Sequence, residues 1–118
     1  MALYVDGFVI TVPKKNMTSY LKMARMGGRV WKEHGALAVF ECFGDDLKPK
    51  FGMPFPRGIK VKPGETVVFS WILFKSRASR DRVNAKVMKD KRMAAAPTPM
   101  PFDFKRMIYG GFTVAVKA

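Results

Sequence analysis

Three stretches of this chain are apolar at every successive position: Phe8-Val9-Ile10, Leu37-Ala38-Val39-Phe40 and Val67-Val68-Phe69. Their β-branched and aromatic content, with turn residues on either side, marks them as strands. Successive side chains of a strand point to opposite faces, so a sheet with one wet face alternates apolar with polar residues. These strands do not alternate, and a sheet built from them needs cover on both faces.

The remaining segments limit what can provide that cover. Leu3 to Val12 reads as the first strand, ended by Pro13. Asn16 or Thr18 then caps a helix running to about His34, with Gly35 beyond its last turn. Along it Tyr20, Met23, Ala24, Gly27, Val30, Trp31 and His34 recur at spacings of three and four and share one face. Lys22, Arg25, Arg29 and Lys32 share the other. The Gly27-Gly28 pair suggests that the helix approaches the sheet closely at Gly27. Ala36 to Phe43 forms the second strand. A Gly-, Pro- and Lys-rich stretch from Gly44 to Gly64 follows, long enough to be a lid or binding loop, with a short edge strand expected over Ile59–Lys62. Glu65 to Phe74 is the third long strand, and Ser76 caps a second helix to about Lys89. The Pro-rich connection Pro97–Pro101 leads to a last strand over Met107–Val116.

Strand, helix, strand, strand, helix, strand is the ferredoxin-like βαββαβ order, an α+β fold with a four-stranded antiparallel sheet. Both helices fall on one face of such a sheet. A second copy is then expected to cover the other, closing a dimeric α+β barrel; the alternative is that the long loops fold over it. One domain spanning 1–118 accommodates everything, and folding at this length buries roughly two-thirds of the unfolded surface.

Several segments along the chain carry a resemblance. They are Tyr4-Val5-Asp6-Gly7-Phe8-Val9, Glu33-His34-Gly35-Ala36-Leu37 with Glu41-Cys42, Gly44-Asp45-Asp46, Phe69-Ser70-Trp71-Ile72 and Arg80-Asp81-Arg82-Val83-Asn84. Met100-Pro101-Phe102-Asp103, leading to Lys105-Arg106-Met107-Ile108-Tyr109-Gly110-Gly111-Phe112, completes the set. Together they resemble the YbaA-like family of uncharacterised bacterial proteins, end to end and most weakly between Leu47 and Gly58. The resemblance implies the dimeric α+β-barrel fold and carries no activity with it.

Polar residues at buried positions are the candidates for chemistry. On the second helix Val83, Val87 and Met88 define the inward arc, and Arg80 and Asn84 fall inside it. His34 lies on the inward stripe of the first helix, so His34, Arg80 and Asn84 can converge on one cavity beneath the helices, with Glu41 and Trp71 from the sheet. A histidine or carboxylate there can accept a proton, and an arginine can hold a carboxylate or enolate oxygen. The structural alternatives are that His34 bonds a helix-end carbonyl and that Arg80 pairs with Glu41 or Asp6. Asp6 has Arg106 or Tyr109 as further candidate partners.

One histidine and one cysteine, Cys42, cannot build a typical zinc site, and Asp45-Asp46 lack further acids nearby; neither a metal nor a cofactor is expected. Phosphate-loop, GxSxG and dinucleotide fingerprints are absent. The lone thiol and the missing signal-peptide pattern point to the cytoplasm, and no stretch is apolar enough to make a membrane the partner.

The charge is the unusual property: 22 Lys and Arg against 9 Asp and Glu, a net +13. The basic stripe of the first helix and Arg82, Lys86 and Lys89 of the second would face outward together. The sequence therefore carries three functional readings, the last being a regulatory or partner-binding module with no pocket chemistry. The first is a homodimeric small-molecule-binding protein or cofactor-independent enzyme with a cavity at His34, Arg80, Asn84 and Glu41. The alternative is a basic nucleic-acid-associated protein binding through its outer helix faces, although no aromatic rings interleave those stripes.

Overall fold

The two-sided apolar runs are neighbours in one sheet. The computed structural model describes residues 2–95, 97 and 99–118. Strand β1 (Tyr4–Pro13) leads through a 3-10 turn (Lys14–Asn16) into helix α1 (Met17–His34), and β2 (Ala38–Phe43) follows. After the one-turn helix α2 (Phe55–Gly58) come β3 (Glu65–Phe74), α3 (Arg77–Met88) and the short α4 (Lys91–Ala94). A second 3-10 turn (Phe104–Arg106) precedes β4 (Ile108–Thr113). The sheet order is β2-β3-β1-β4, with every pair antiparallel, which is the ferredoxin-like arrangement.

Register assigns each side chain to a face. Phe8 pairs with Ser70, Asp6 with Ile72, Ile10 with Val68, and Glu41 with Ser70. These residues face α1 and α3. Two apolar clusters form there: one around Tyr4, Val30, Ile72, Phe74, Val83 and Val87, the other around Ile10, Val12, Tyr20 and Val68. Full burial of Val12, Val30, Phe74 and Val87 contributes roughly 1.5–3 kcal/mol per side chain before chain entropy is counted.

The residues one position along point the other way. Phe40, Cys42, Phe69, Trp71, Ile108 and Phe112 share the opposite face, where Phe40 stacks on Trp71 at 4.8 Å and Phe69 lies 5.5 Å from Trp71. Phe69 is 44% exposed and Phe112 61%. The chain measures 38 × 38 × 20 Å, a slab of one sheet layer and one helix layer. The long loop covers one corner of the bare face, where Phe55 meets Phe69 edge to face, and leaves the rest open.

Local chemistry explains the element boundaries. The Ser76 hydroxyl accepts from the Ser79 N–H at 3.1 Å and starts α3. Gly35 ends α1 at φ 120°, a backbone angle that side chains rarely tolerate. Asn16 stands at the start of α1 without capping it; its amide donates to the Pro101 carbonyl at 3.0 Å. The helix meets the sheet at Gly28, against Val39, rather than at Gly27.

Four expectations change. Ile59–Lys62 is not a strand: Pro54 and Pro56 preset a helical turn, closed by Gly58 and Ile59 N–H bonds to Pro54 and Phe55, and Lys60 at φ 57° breaks extension. The last strand ends at Thr113, short of Val116, and β2 starts at Ala38 rather than Ala36. Met88, placed by periodicity on the buried arc, is 66% exposed; it is the last residue of α3.

Candidate functional site

Between the sheet and α1, from Ser19 to Trp31, lies a cavity of about 630 Å³. Phe8 and Ile10 from β1, Val39 from β2 and Ile72 from β3 form its floor, and Tyr20, Met23, Gly27 and Trp31 of α1 form one wall. Met93, Met100, Phe102 and Met107 from the segment after α3 close another side. Gly27 and Gly28, facing the cavity without side chains, leave room that larger residues would fill.

The polar group set into this apolar floor is Glu41. Its Oε1 accepts from the Tyr20 hydroxyl at 2.6 Å and its Oε2 from the Ser70 hydroxyl at 2.9 Å. Tyr20 and Ser70 are both buried. Burial first, then the hydrogen bond to Glu41 and its charge, raise the Tyr20 phenol well above its ordinary range, so it remains a neutral donor. Among the described residues no cation pairs with Glu41. Lys22 and Arg92 also line the cavity, and the Arg92 guanidinium is bound to Asp90 and Glu33.

The hydrogen-bond inventory decides what this floor can receive. Tyr20 and Ser70 have each given their single O–H to Glu41, which leaves lone pairs on all three residues. A carboxylate offers about four acceptor positions, of which two are taken. The Glu41 cluster therefore presents acceptors only, and a ligand's polar end must donate.

The residues expected to converge are divided between places. Arg80 and Asn84 do come together, on a second cavity of about 260 Å³ beside Asp6, Trp31 and Tyr109. There Arg80 Nη1 donates to Asp6 at 2.9 Å, Asn84 donates to the other Asp6 oxygen at 3.3 Å, and Asn84 accepts from Trp31 Nε1 at 2.9 Å. Arg80 Nε also binds Asp81, and the guanidinium lies 4.9 Å over the Tyr4 ring. The partners of Arg80 are thus Asp6 and Asp81, not Glu41, while Arg106 binds Glu65 at 2.7 Å rather than Asp6.

His34 lines neither cavity. Its Nε2 lies 2.8 Å from Asp90, the residue that caps the start of α4. Arg92 first, then His34 and the Arg92 backbone N–H, hold the Asp90 carboxyl well below the usual range. Trp71 points to the bare face, away from both cavities. Tyr20 and Ser70 went unnoticed as polar partners in the sequence. The available signal was that a tyrosine on a buried helix stripe and a glutamate in an apolar strand each need a partner.

The basic stripes do face outward: Lys22, Arg25, Arg29, Lys32, Arg82, Lys86 and Lys89 are all exposed. Among the described residues, no group of three His, Cys, Asp or Glu side chains gathers that could hold a metal ion. No helix among them is long and apolar enough to cross a membrane.

A family model for a protein of unknown function (DUF1428) matches residues 3–104. Uncharacterised proteins called YbaA from Escherichia coli and Shigella flexneri are 45% identical over 109 residues, spanning 92% of this chain and 93% of their own. A dimeric ferredoxin-like protein from an uncultured marine organism is similar in structure, with a TM-score of 0.65 at 10% identity over 100% of both chains. A Bacillus cereus protein described as a candidate antibiotic biosynthesis monooxygenase has a TM-score of 0.60 at 11% identity, over 100% of this chain and 98% of its own. At these identities the likeness is one of fold.

Proposed function

The chain belongs to the DUF1428 family, whose function is unknown, and we propose from the site itself that it is a small-molecule-binding protein or cofactor-independent enzyme. Its ligand is a mostly apolar molecule carrying one hydrogen-bond donor, received in the cavity between α1 and the sheet. The observation that carries this reading is Glu41: a carboxylate held by two hydroxyls, unpaired with any cation among the described residues, at the floor of an apolar cavity. The net charge of +13 disfavours a cationic ligand, which leaves a neutral O–H or N–H group, phenols and enols first among them.

In that arrangement Glu41 is the proton acceptor. A ligand O–H lying between its free lone pairs can hand over its proton, and Tyr20 and Ser70 keep the carboxylate oriented for the transfer. Arg80 and Asn84 hold Asp6 in the neighbouring cavity, apart from the ligand, and His34 stands further off, beside Asp90. The working unit is a homodimer formed by two bare sheet faces, supported by the exposed Phe40, Phe69, Ile108 and Phe112 and by the dimeric fold neighbour.

The test compares 2-naphthol with 2-methoxynaphthalene, which has the same apolar body without the O–H. Isothermal titration calorimetry on the intact protein should show naphthol binding more tightly by ten- to a hundredfold, the worth of about 1.5–3 kcal/mol for a hydrogen bond to a charged group. Glu41→Leu should erase the difference. Equal binding of the two compounds to the unaltered protein would overturn the assignment.

A further inference from the structure

One end of the sheet, where β1 and β2 finish and β3 and β4 begin, collects exposed cations from three separate segments. The loop between β2 and β3 has no acid from Leu47 to Gly64 and carries Lys48, Lys50, Arg57, Lys60 and Lys62, all exposed. Lys14 and Lys15 follow β1, and the Lys14 N–H donates to the Gly64 carbonyl at 2.8 Å. Lys105 precedes Arg106, whose guanidinium donates to the Lys60 carbonyl at 2.9 Å. Asp45, Asp46 and Asp103 are the exposed acids on the same segments, and Asp103 caps a 3-10 turn. Glu65 is neutralised by Arg106. Eight cations therefore face three carboxylates.

Large apolar side chains stand among these charges. Phe51 is 87% exposed, Met53 64%, Phe104 58% and Phe55 48%. The base beneath them is built: α2 closes on Pro54, Val61 N–H donates to the Pro56 carbonyl at 2.8 Å, and Ile59 is buried as a plug. Phe51 and Met53 thus project from an anchored loop, in a position where water gains nothing from them. Apolar tips ringed by Lys and Arg match the interface of an anionic bilayer, where acyl chains accept the tips and headgroups accept the charge.

We infer that this end of the molecule docks on anionic lipid surfaces, with Phe51 and Met53 entering the acyl boundary and the surrounding lysines and arginines meeting the headgroups. This goes beyond the expectation of no membrane partner, which rested on spanning segments alone. Single-stranded nucleic acid is the competing polyanion, and the side chains argue against it. Stacking needs free ring faces; Phe51 and Phe104 offer them, but Met53, 64% exposed beside Phe51, has no ring, and the Phe55 ring is turned against Phe69 at 6.2 Å and 70°. A headgroup boundary accepts any apolar chain.

The experiment is co-sedimentation of the full chain with vesicles of equimolar phosphatidylcholine and phosphatidylserine, against vesicles of phosphatidylcholine alone. Binding is expected only to the anionic vesicles, falling about fivefold for each of Lys48, Lys50 and Lys60 replaced by Gln. The Phe51→Ser, Met53→Ser double variant should lose binding by tenfold or more while retaining its assembly mass and its affinity for 2-naphthol. Absence of sedimentation with either vesicle overturns the inference. So does a double variant that binds vesicles normally but loses an oligouridylate, which would assign the loop to nucleic acid. A double variant with altered assembly mass would assign the loop to contact between copies, with the same consequence.

Discussion

Arg80 is the residue whose replacement separates a ligand site from a structural staple. Its partner Asp6 is 6% exposed, and the Arg80 side chain keeps 21% of its surface in solvent. Breaking a buried ion pair from one side costs about 3–5 kcal/mol, because the remaining charge is stranded in apolar surroundings. Here Asn84 still donates to Asp6 at 3.3 Å and water reaches part of the pair, so Arg80→Met should cost about 3 kcal/mol. Replacing Asp6 with Asn in that background removes the stranded charge and should restore about 2 kcal/mol, as coupled neighbours do. Urea unfolding of all four proteins, at one fixed concentration since assembly shifts the midpoint, measures the cycle. Binding of 2-naphthol should be unchanged in Arg80→Met. A loss below about 1 kcal/mol together with lost binding would refute the staple and return Arg80 to the ligand.

Acid should loosen the junction of α1 and α4: Asp90 titrates lower in the folded chain than in the unfolded one, so its stabilisation is complete above about pH 4 and fades as pH falls through and below that value. Thermal melts should decline from about pH 5 downward, less steeply in Asp90→Asn, and parallel acid limbs would contradict this. Gly111→Ala places a Cβ against the buried Tyr4 ring, 2.8 Å from Cε2, and should cost about 1–3 kcal/mol, whereas Gly7→Ala meets Phe112 at 3.5 Å and should cost less; equal losses would contradict the packing. Ser76→Ala should cost about 1 kcal/mol in urea unfolding, and no change would mean the cap bond is not formed in solution. Trp71→Glu puts a charge on the bare face and should yield monomers in analytical ultracentrifugation; an intact dimer would place the interface elsewhere.

The fold was legible because burial on both faces leaves a period-free apolar signature, and Glu65–Phe74 was bounded correctly by Gly64 and by Ser76. The stretch Ile59–Lys62 misled because its β-branched residues suit a strand, while the deciding influence came from Pro54 and Pro56 just before it. At the site, helix periodicity placed Arg80 and Asn84 together, since both sit in the middle of α3. It failed for His34 because periodicity along one helix gives no sign of Asp90, 56 residues on, which the His34 ring meets. Glu41 was found as a polar interruption of an apolar strand. Its partners were not, because Tyr20 and Ser70 lie 21 and 29 residues from Glu41: Ser70 meets it through strand register, and Tyr20 only once α1 packs on the sheet.

Cys42 pairs in register with Phe69 and shares its side of the sheet with Phe40 and Trp71. Once two such sides are pressed together, a maleimide can reach that sulfur only during the moments when the copies part. The chain's single thiol is then a clock: at saturating maleimide its rate of alkylation counts separations and gives the lifetime of the pair, and with scarce maleimide any speeding on dilution gives the dissociation constant.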